Sequence, residues 1–210
     1  MRKKRTIYFN DARHYYFFVF EPPMDMEDAW RPVDEIAGTG IDTLVYGVAR
    51  SDGMFYNTRV GKRFGVDAKP FAQNNHWRTF ANMQSLIERD LDPLTVLVDR
   101  AHEKGIDFFA SLRMSNFCTR NPEWSVSNGG LGLAEPEARE HTFALLKELA
   151  TQYDVEGLEL DFSAAPGGME FWLRPEDIAE HTPTITELLR RVTAAVRGRS
   201  TGSGEIGARV

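Results

Sequence analysis

Two carboxylates, two positions apart on one apolar segment, are the residues of this 210-residue chain best suited to chemistry. The segment is Val155-Glu156-Gly157-Leu158-Glu159-Leu160-Asp161-Phe162. Side chains alternate along a strand, so Leu158, Leu160 and Phe162 fall on one face and Glu159 and Asp161 on the other. A strand set between helical segments normally buries both faces in a parallel sheet. Acids on a buried face are costly unless they are paired or used. One reading is a structural ion pair with an arginine from a neighbouring strand. The other is acid/base work: the two Cα atoms lie roughly 6.5–7 Å apart by the rise per residue, within reach of paired acid/base work at a sugar bond. Asp161, nearer the C-terminal end of the strand, is the candidate catalytic acid/base or the group that orients it. Glu159, one layer deeper, is the candidate structural partner or tuner.

Other residues could serve such a site. Arg113 closes the strand before it, in Ser111-Leu112-Arg113-Met114-Ser115-Asn116. It can neutralise either acid or grip a substrate hydroxyl or carboxylate. Asn116 can bond a sugar hydroxyl or simply make a turn. Asn10, Asp11 and Arg13 follow the first strand, where a site floor or an Asx-turn would lie. Phe55, Tyr56, Trp77, Trp124, Phe171 and Trp172 fall in segments after strands, where aromatic faces suit sugar rings or pack the loops down. His76, read as a loop residue, is the one histidine kept as a site candidate. The five histidines show no metal-binding spacing, and Cys118 carries no motif. There is no Gly-x-Ser-x-Gly elbow, no phosphate loop and no dinucleotide fingerprint. No cofactor or metal is expected.

The elements that must position these residues alternate. Strands are read at 6–10, 42–48, 106–112, 155–162 and from 206. Helices are read at 27–37 with Asp25 as N-cap, at 77–89, from Asp92-Pro93 to Gly105, from Pro136, and from Pro183 capped by Thr182. Strand–helix alternation implies right-handed crossovers and a parallel sheet. Long loops follow the strands and short ones follow the helices, which places functional loops at the C-terminal strand ends. A (β/α)₈ barrel and an open doubly wound sheet share this asymmetry. A barrel needs about 250 residues. The expectation is therefore an α/β chain of parallel (β/α) repeats, TIM-barrel type, truncated after about four and a half units, with residues 1–210 forming the N-terminal part of one domain.

The formal net charge of −6 argues against a nucleic-acid partner. The basic run Arg2-Lys3-Lys4-Arg5 reads as a solvated tail. No apolar stretch is long enough for a membrane span, and no signal peptide is visible, so a cytoplasmic location is expected.

Four segments, Ile7-Tyr8-Phe9-Asn10-Asp11, Ala37-Gly38-Thr39-Gly40-Ile41-Asp42-Thr43-Leu44, Asn57-Thr58-Arg59-Val60-Gly61 and Gly157-Leu158-Glu159-Leu160-Asp161-Phe162, resemble segments of a group of bacterial glycoside-hydrolase-like TIM-barrel proteins. Gly207-Ala208-Arg209-Val210 resembles the fifth strand of that group. The resemblance implies a (β/α)₈ fold and a carbohydrate substrate, with the strand-four acid at Asp161 or Glu159 and a second acid on a later strand. A weaker similarity to the chitinase-type strand departs at Ser163, where the final acid would stand. The alternative to a glycoside hydrolase is a non-catalytic carbohydrate-binding relative whose acids only orient hydroxyls. Self-association through exposed barrel edges is the further expectation for the chain alone.

Overall fold

In a computed structural model, residues 4–11, 17–50, 53–114, 121–125, 132–163, 176, 178–198 and 204–209 are described. Five parallel strands form the main sheet: β1 (Ile7–Asp11), β2 (Thr43–Gly47), β6 (Asp107–Arg113), β7 (Gly157–Asp161) and β8 (Glu205–Arg209). Their spatial order is their chain order, β1-β2-β6-β7-β8, and every pairing is parallel. A doubly wound sheet reverses strand order at its switch point. This sheet does not, so all crossovers run the same way and the fold is α/β of TIM-barrel type. The carboxylate strand β7 is interior, flanked by β6 and β8 as its apolar composition requires.

The helices pack on one face of this sheet: α3 (Pro93–Glu103) against β6, α4 (Pro136–Gln152) against β7 and α5 (Ile178–Arg197) against β8. The face they cover carries Leu44, Tyr46, Phe108, Ala110, Leu112, Leu158 and Leu160, all nearly inaccessible to solvent. The opposite face is the lumen. Two contacts show how far the sheet curls. Arg5, just before β1, reaches Glu205 of β8 as well as Asp107 of β6 and the Thr43 hydroxyl. Higher up, the Arg209 guanidinium of β8 lies 3.8 Å from the centroid of the Phe9 ring of β1. The two edge strands therefore face each other across the lumen. Arg5 is a lumen floor residue, not part of a solvated tail; three oxygen partners and the Phe109 ring, 5.0 Å away, outweigh hydration at the surface.

Local signals explain the helix starts. In α1 (Met26–Asp34), the Asp25 side chain accepts from the Asp28 amide. In α3, Asp92 accepts from the Leu94 and Thr95 amides and Pro93 opens the helix. The start at Thr182-Pro183 is not observed: α5 already runs from Ile178. Pro183 lies inside α5, where it removes one backbone bond and crowds the carbonyl of Ala179, yet the helix continues through it; Thr182 donates back to the Ile178 carbonyl at 2.6 Å. The segment after β2, read as one of the long loops, has structure of its own. It holds a small sheet, β3 (Ala49–Arg50), β4 (Gly53–Met54) and β5 (Lys62–Arg63), and then α2 (Asn74–Ile87). Phe55 and Tyr56 are fully buried there: Phe55 meets Phe17 and Phe64, and Tyr56 meets Tyr153 edge-on. They belong to the core, not to a sugar platform.

Of the described glycines, Gly157 leaves the least room for a side chain. A Cβ there would meet the Phe109 ring and the Glu205 carbonyl oxygen, the latter at 2.6 Å. Gly157→Ala is expected to destabilise the chain by about 1–3 kcal/mol, the usual cost of overpacking. Urea unfolding checks this; an unchanged midpoint would show that β8 can move away freely.

Candidate functional site

The strand register places the polar lumen residues in levels. Asp11, Gly47, Ser111, Glu159 and Gly207 lie side by side; Arg113, Asp161 and Arg209 lie one step above, at the C-terminal ends of three adjacent strands. Parallel strands in this register put alternate residues of neighbours on the same face. That is why a charged row forms from residues scattered over the sequence.

Asp161 is 1% exposed and has partners on both carboxylate oxygens. Its Oδ2 accepts from Arg209 Nη2 at 2.8 Å and stands 3.5 Å from Arg113 Nε. Its Oδ1 accepts from the Ser163 amide at 3.0 Å and the Ser163 hydroxyl at 2.5 Å. All of these partners are donors, the set that suits a carboxylate. Arg113 also stands 3.6 Å from Asp11 Oδ2, so the expected pairing of Arg113 with Asp161 is observed but long. The short contact is with Arg209. Glu159 lies below, accepting from the Ser111 hydroxyl at 2.5 Å and from Arg209 Nη2 at 3.3 Å.

Arg50, at the end of β3, is the third arginine of this region. Burial pushes its pKa below the ordinary arginine value and Arg113 adds to that, while Asp11 opposes it. A cavity of about 10 Å³, with room for roughly one water molecule, lies between Phe9, Asp11, Ser111, Arg113 and Asp161.

The remaining candidates divide. Asp11 joins the site. Asn10 does not: alternation turns it to the helix side, where it is 1% exposed. His76 lies in the first turn of α2 rather than in a loop, edge-on to Phe64 at 5.4 Å between ring centroids. Burial and the charge of Arg50 both lower its pKa. Trp77 is 44% exposed on the same helix. Trp124 turns to α4, with its Nε1 donating to Glu137 at 3.3 Å and its ring 5.5 Å from that of His141. Asn116, Arg13, Cys118, Phe171 and Trp172 lie outside the described residues. Among the described residues no group of three His, Cys, Asp or Glu side chains could hold a metal ion, and no helix is long and apolar enough to cross a membrane.

Sequence reasoning missed Arg209, Ser111 and Ser163. For Arg209 a signal existed: Gly207 and Arg209 alternate with Ile206 and Ala208, so the arginine had to share a face with Gly207.

No family model matches the chain, and no curated protein matches it by sequence. Solved structures do match in fold. An α-L-fucosidase, isoenzyme 2 from Paenibacillus thiaminolyticus, aligns over 99% of this chain and 33% of its own length, with a TM-score of 0.63 at 10% identity. The galactosidase domain of an α-galactosidase–sucrose kinase aligns over 98% of this chain and 27% of its own, with a TM-score of 0.57 at 13% identity. A GH36 α-galactosidase from Geobacillus stearothermophilus in complex with stachyose aligns over 99% and 28%, with a TM-score of 0.52 at 14% identity. The chain has the fold of one segment of these glycoside hydrolases. It spans about a third of their length or less.

Proposed function

We propose that residues 1–210 form the N-terminal part of a single (β/α)₈ barrel domain and that this barrel is a glycoside hydrolase, with Asp161 as its strand-four carboxylate. The observation that carries the reading is the position of Asp161: buried, at the C-terminal end of an interior strand, with donors on both oxygens beside a water-sized cavity. Barrel enzymes place their reacting groups at that end of the strands. Donors on both oxygens favour a carboxylate acting as nucleophile or base over one acting as proton donor. The proton donor then comes from another wall of the barrel, because the two carboxylates of a glycosidase must flank the scissile bond. Glu159 cannot take that part: it shares a strand with Asp161 and is bound to the same arginine nitrogen. Its role is to support Asp161.

The likeness in fold to a fucosidase and to α-galactosidases supports a carbohydrate substrate. The complete polypeptide should be assayed against nitrophenyl glycosides that include an α-L-fucoside and an α-galactoside. Hydrolysis abolished in the Asp161→Asn variant supports the reading. Sugar binding without turnover, insensitive to Asp161→Asn, favours the second reading, a non-catalytic carbohydrate-binding barrel in which the arginines saturate Asp161.

Residues 1–210 alone should be inactive and self-associate, since among the described residues β1 and β8 each have one edge without a partner in the sheet. Light scattering on the isolated chain checks this. A monomer that unfolds cooperatively and hydrolyses glycosides would overturn both the half-barrel reading and this expectation.

A further inference from the structure

We infer that Arg209 is the positioning residue of this site: it aims the Asp161 carboxylate and ties Glu159 to it, and the Phe9 ring holds it there. The inference rests on the proposed catalytic role of Asp161 and assigns a function to a residue outside the carboxylate strand. One nitrogen, Nη2, reaches both acids, at 2.8 Å to Asp161 and 3.3 Å to Glu159. Arg113 approaches Asp161 only to 3.5 Å and is shared with Asp11, so its hold on the carboxylate is the weaker one and aims it in another direction.

Arg209 is held as well as bound. Its guanidinium lies 3.8 Å from the centroid of the Phe9 ring, on the far side of the lumen. An arginine stacked on an aromatic face loses less freedom on forming hydrogen bonds, because its plane is already fixed. The charged and polar groups facing Asp161 come from three strands: Asp11 from β1, Ser111 and Arg113 from β6, and Glu159 from β7 itself, followed by Ser163 in the turn after it. Without Arg209, two carboxylates on one wall would share one distant cation and two serines. Like charges at that spacing repel. The Asp161 carboxylate would then turn toward Arg113 or admit water.

Positioning predicts a loss in turnover rather than in substrate affinity. In the complete polypeptide, Arg209→Gln should lower kcat by at least roughly 10-fold with KM changed by less than about threefold, since a misaimed base loses part of the 10²–10⁴-fold contribution of such groups. Arg209→Lys keeps a cation within reach of both acids and should recover part of that loss. Phe9→Leu, which removes the platform and keeps the charge, should give a smaller loss of the same kind. An Arg209→Gln variant with normal kcat and reduced thermal stability would overturn the inference, leaving Arg209 as a structural ion pair. A second readout does not depend on turnover: crystal structures of the Arg209→Gln and Arg209→Lys variants. Asp161 should be rotated away in the first and aligned in the second. An unmoved carboxylate in Arg209→Gln overturns the inference by itself. Full activity in Asp161→Asn would remove the catalytic reading instead, and the crystal structures would still decide whether Arg209 aims the carboxylate.

Discussion

Asp161→Asn is expected to lower turnover in the complete polypeptide by at least roughly 100-fold, the usual scale for a group that takes or gives a proton in the transition state. The same substitution should also lower stability. An asparagine presents one NH₂ group, and every partner of the native carboxylate is a donor: Arg209 and Arg113 on one oxygen, the Ser163 amide and hydroxyl on the other. Whichever way the amide turns, one side sets donor against donor. A drop in stability alone would follow from a structural role, so kcat and the unfolding midpoint must be read on the same variant under conditions where it is folded. Asp161→Ala separates the two roles further. It opens space beside two arginines that a small anion can fill. If Asp161 is the nucleophile or base, azide or formate should restore part of the turnover of the alanine variant. Near-normal turnover in Asp161→Asn would remove the residue from the mechanism.

The part of this site carried by β7 was legible from the sequence. Alternation along 155–162 separates Leu158 and Leu160 from Glu159 and Asp161, and the structure keeps that separation, with the leucines under the helices and the acids in the lumen. The position of Arg113 also followed, because it ends the preceding parallel strand. Arg209 was harder to see. Its face can be read from Gly207 and Arg209, but its nearness to Asp161 depends on register, and its stacking on Phe9 depends on how far the sheet curls. Neither is a local property of the chain. The same reason hides Arg5, which looks like part of a basic tail until the curled sheet brings β8 within reach. Asn10 shows the reverse error. Polar residues at a strand end suggested one site floor, but adjacent residues point to opposite faces, so Asp11 could join the site only if Asn10 did not.

Loop aromatics were ambiguous for another reason. Phe55 and Tyr56 fall in a long loop after a strand, where a sugar platform and inward packing both fit, and the structure shows inward packing. Two carboxylates tie that segment to the helices, Glu148 buried and Asp92 half-buried, and its aromatic residues go inward with them. Composition measures the surface of such a segment and misses its anchors.

Those anchors give the second large effect. Glu148→Ala is expected to destabilise the protein by about 2–4 kcal/mol, because it removes the acceptor that several donors share. Glu148 is 7% exposed on α4, between Leu145 and Leu149 of the apolar stripe, a placement that signals a buried acid. Its Oε1 accepts from the Arg59 amide at 2.6 Å and the Val60 amide at 3.2 Å. Its Oε2 accepts from the Tyr56 hydroxyl at 3.0 Å and the Thr58 hydroxyl at 2.6 Å. Burial first, and the charge of Glu148 after it, push the Tyr56 pKa well above its ordinary value, so the phenol stays a donor. Alanine takes the acceptor from the Arg59 amide and from the Tyr56 and Thr58 hydroxyls, while the Val60 amide keeps Thr58 Oγ1 at 3.1 Å; an unsatisfied donor costs about 1–3 kcal/mol where it is buried, as Tyr56 is. Glu148→Gln should cost much less, about 1–2 kcal/mol. Its amide oxygen can still accept from the two backbone N–H groups, and its NH₂ can donate to hydroxyls that rotate to accept. Asp92 holds the same loop from α3, accepting from the Asn57 amide and the Tyr153 hydroxyl, each at 3.0 Å, so the segment should loosen rather than detach. Urea unfolding gives the two stabilities, and hydrogen exchange at Arg59 and Val60 should speed up in the alanine variant before global unfolding does. Equal losses for alanine and glutamine would mean that the charge, rather than the count of acceptors, holds the loop.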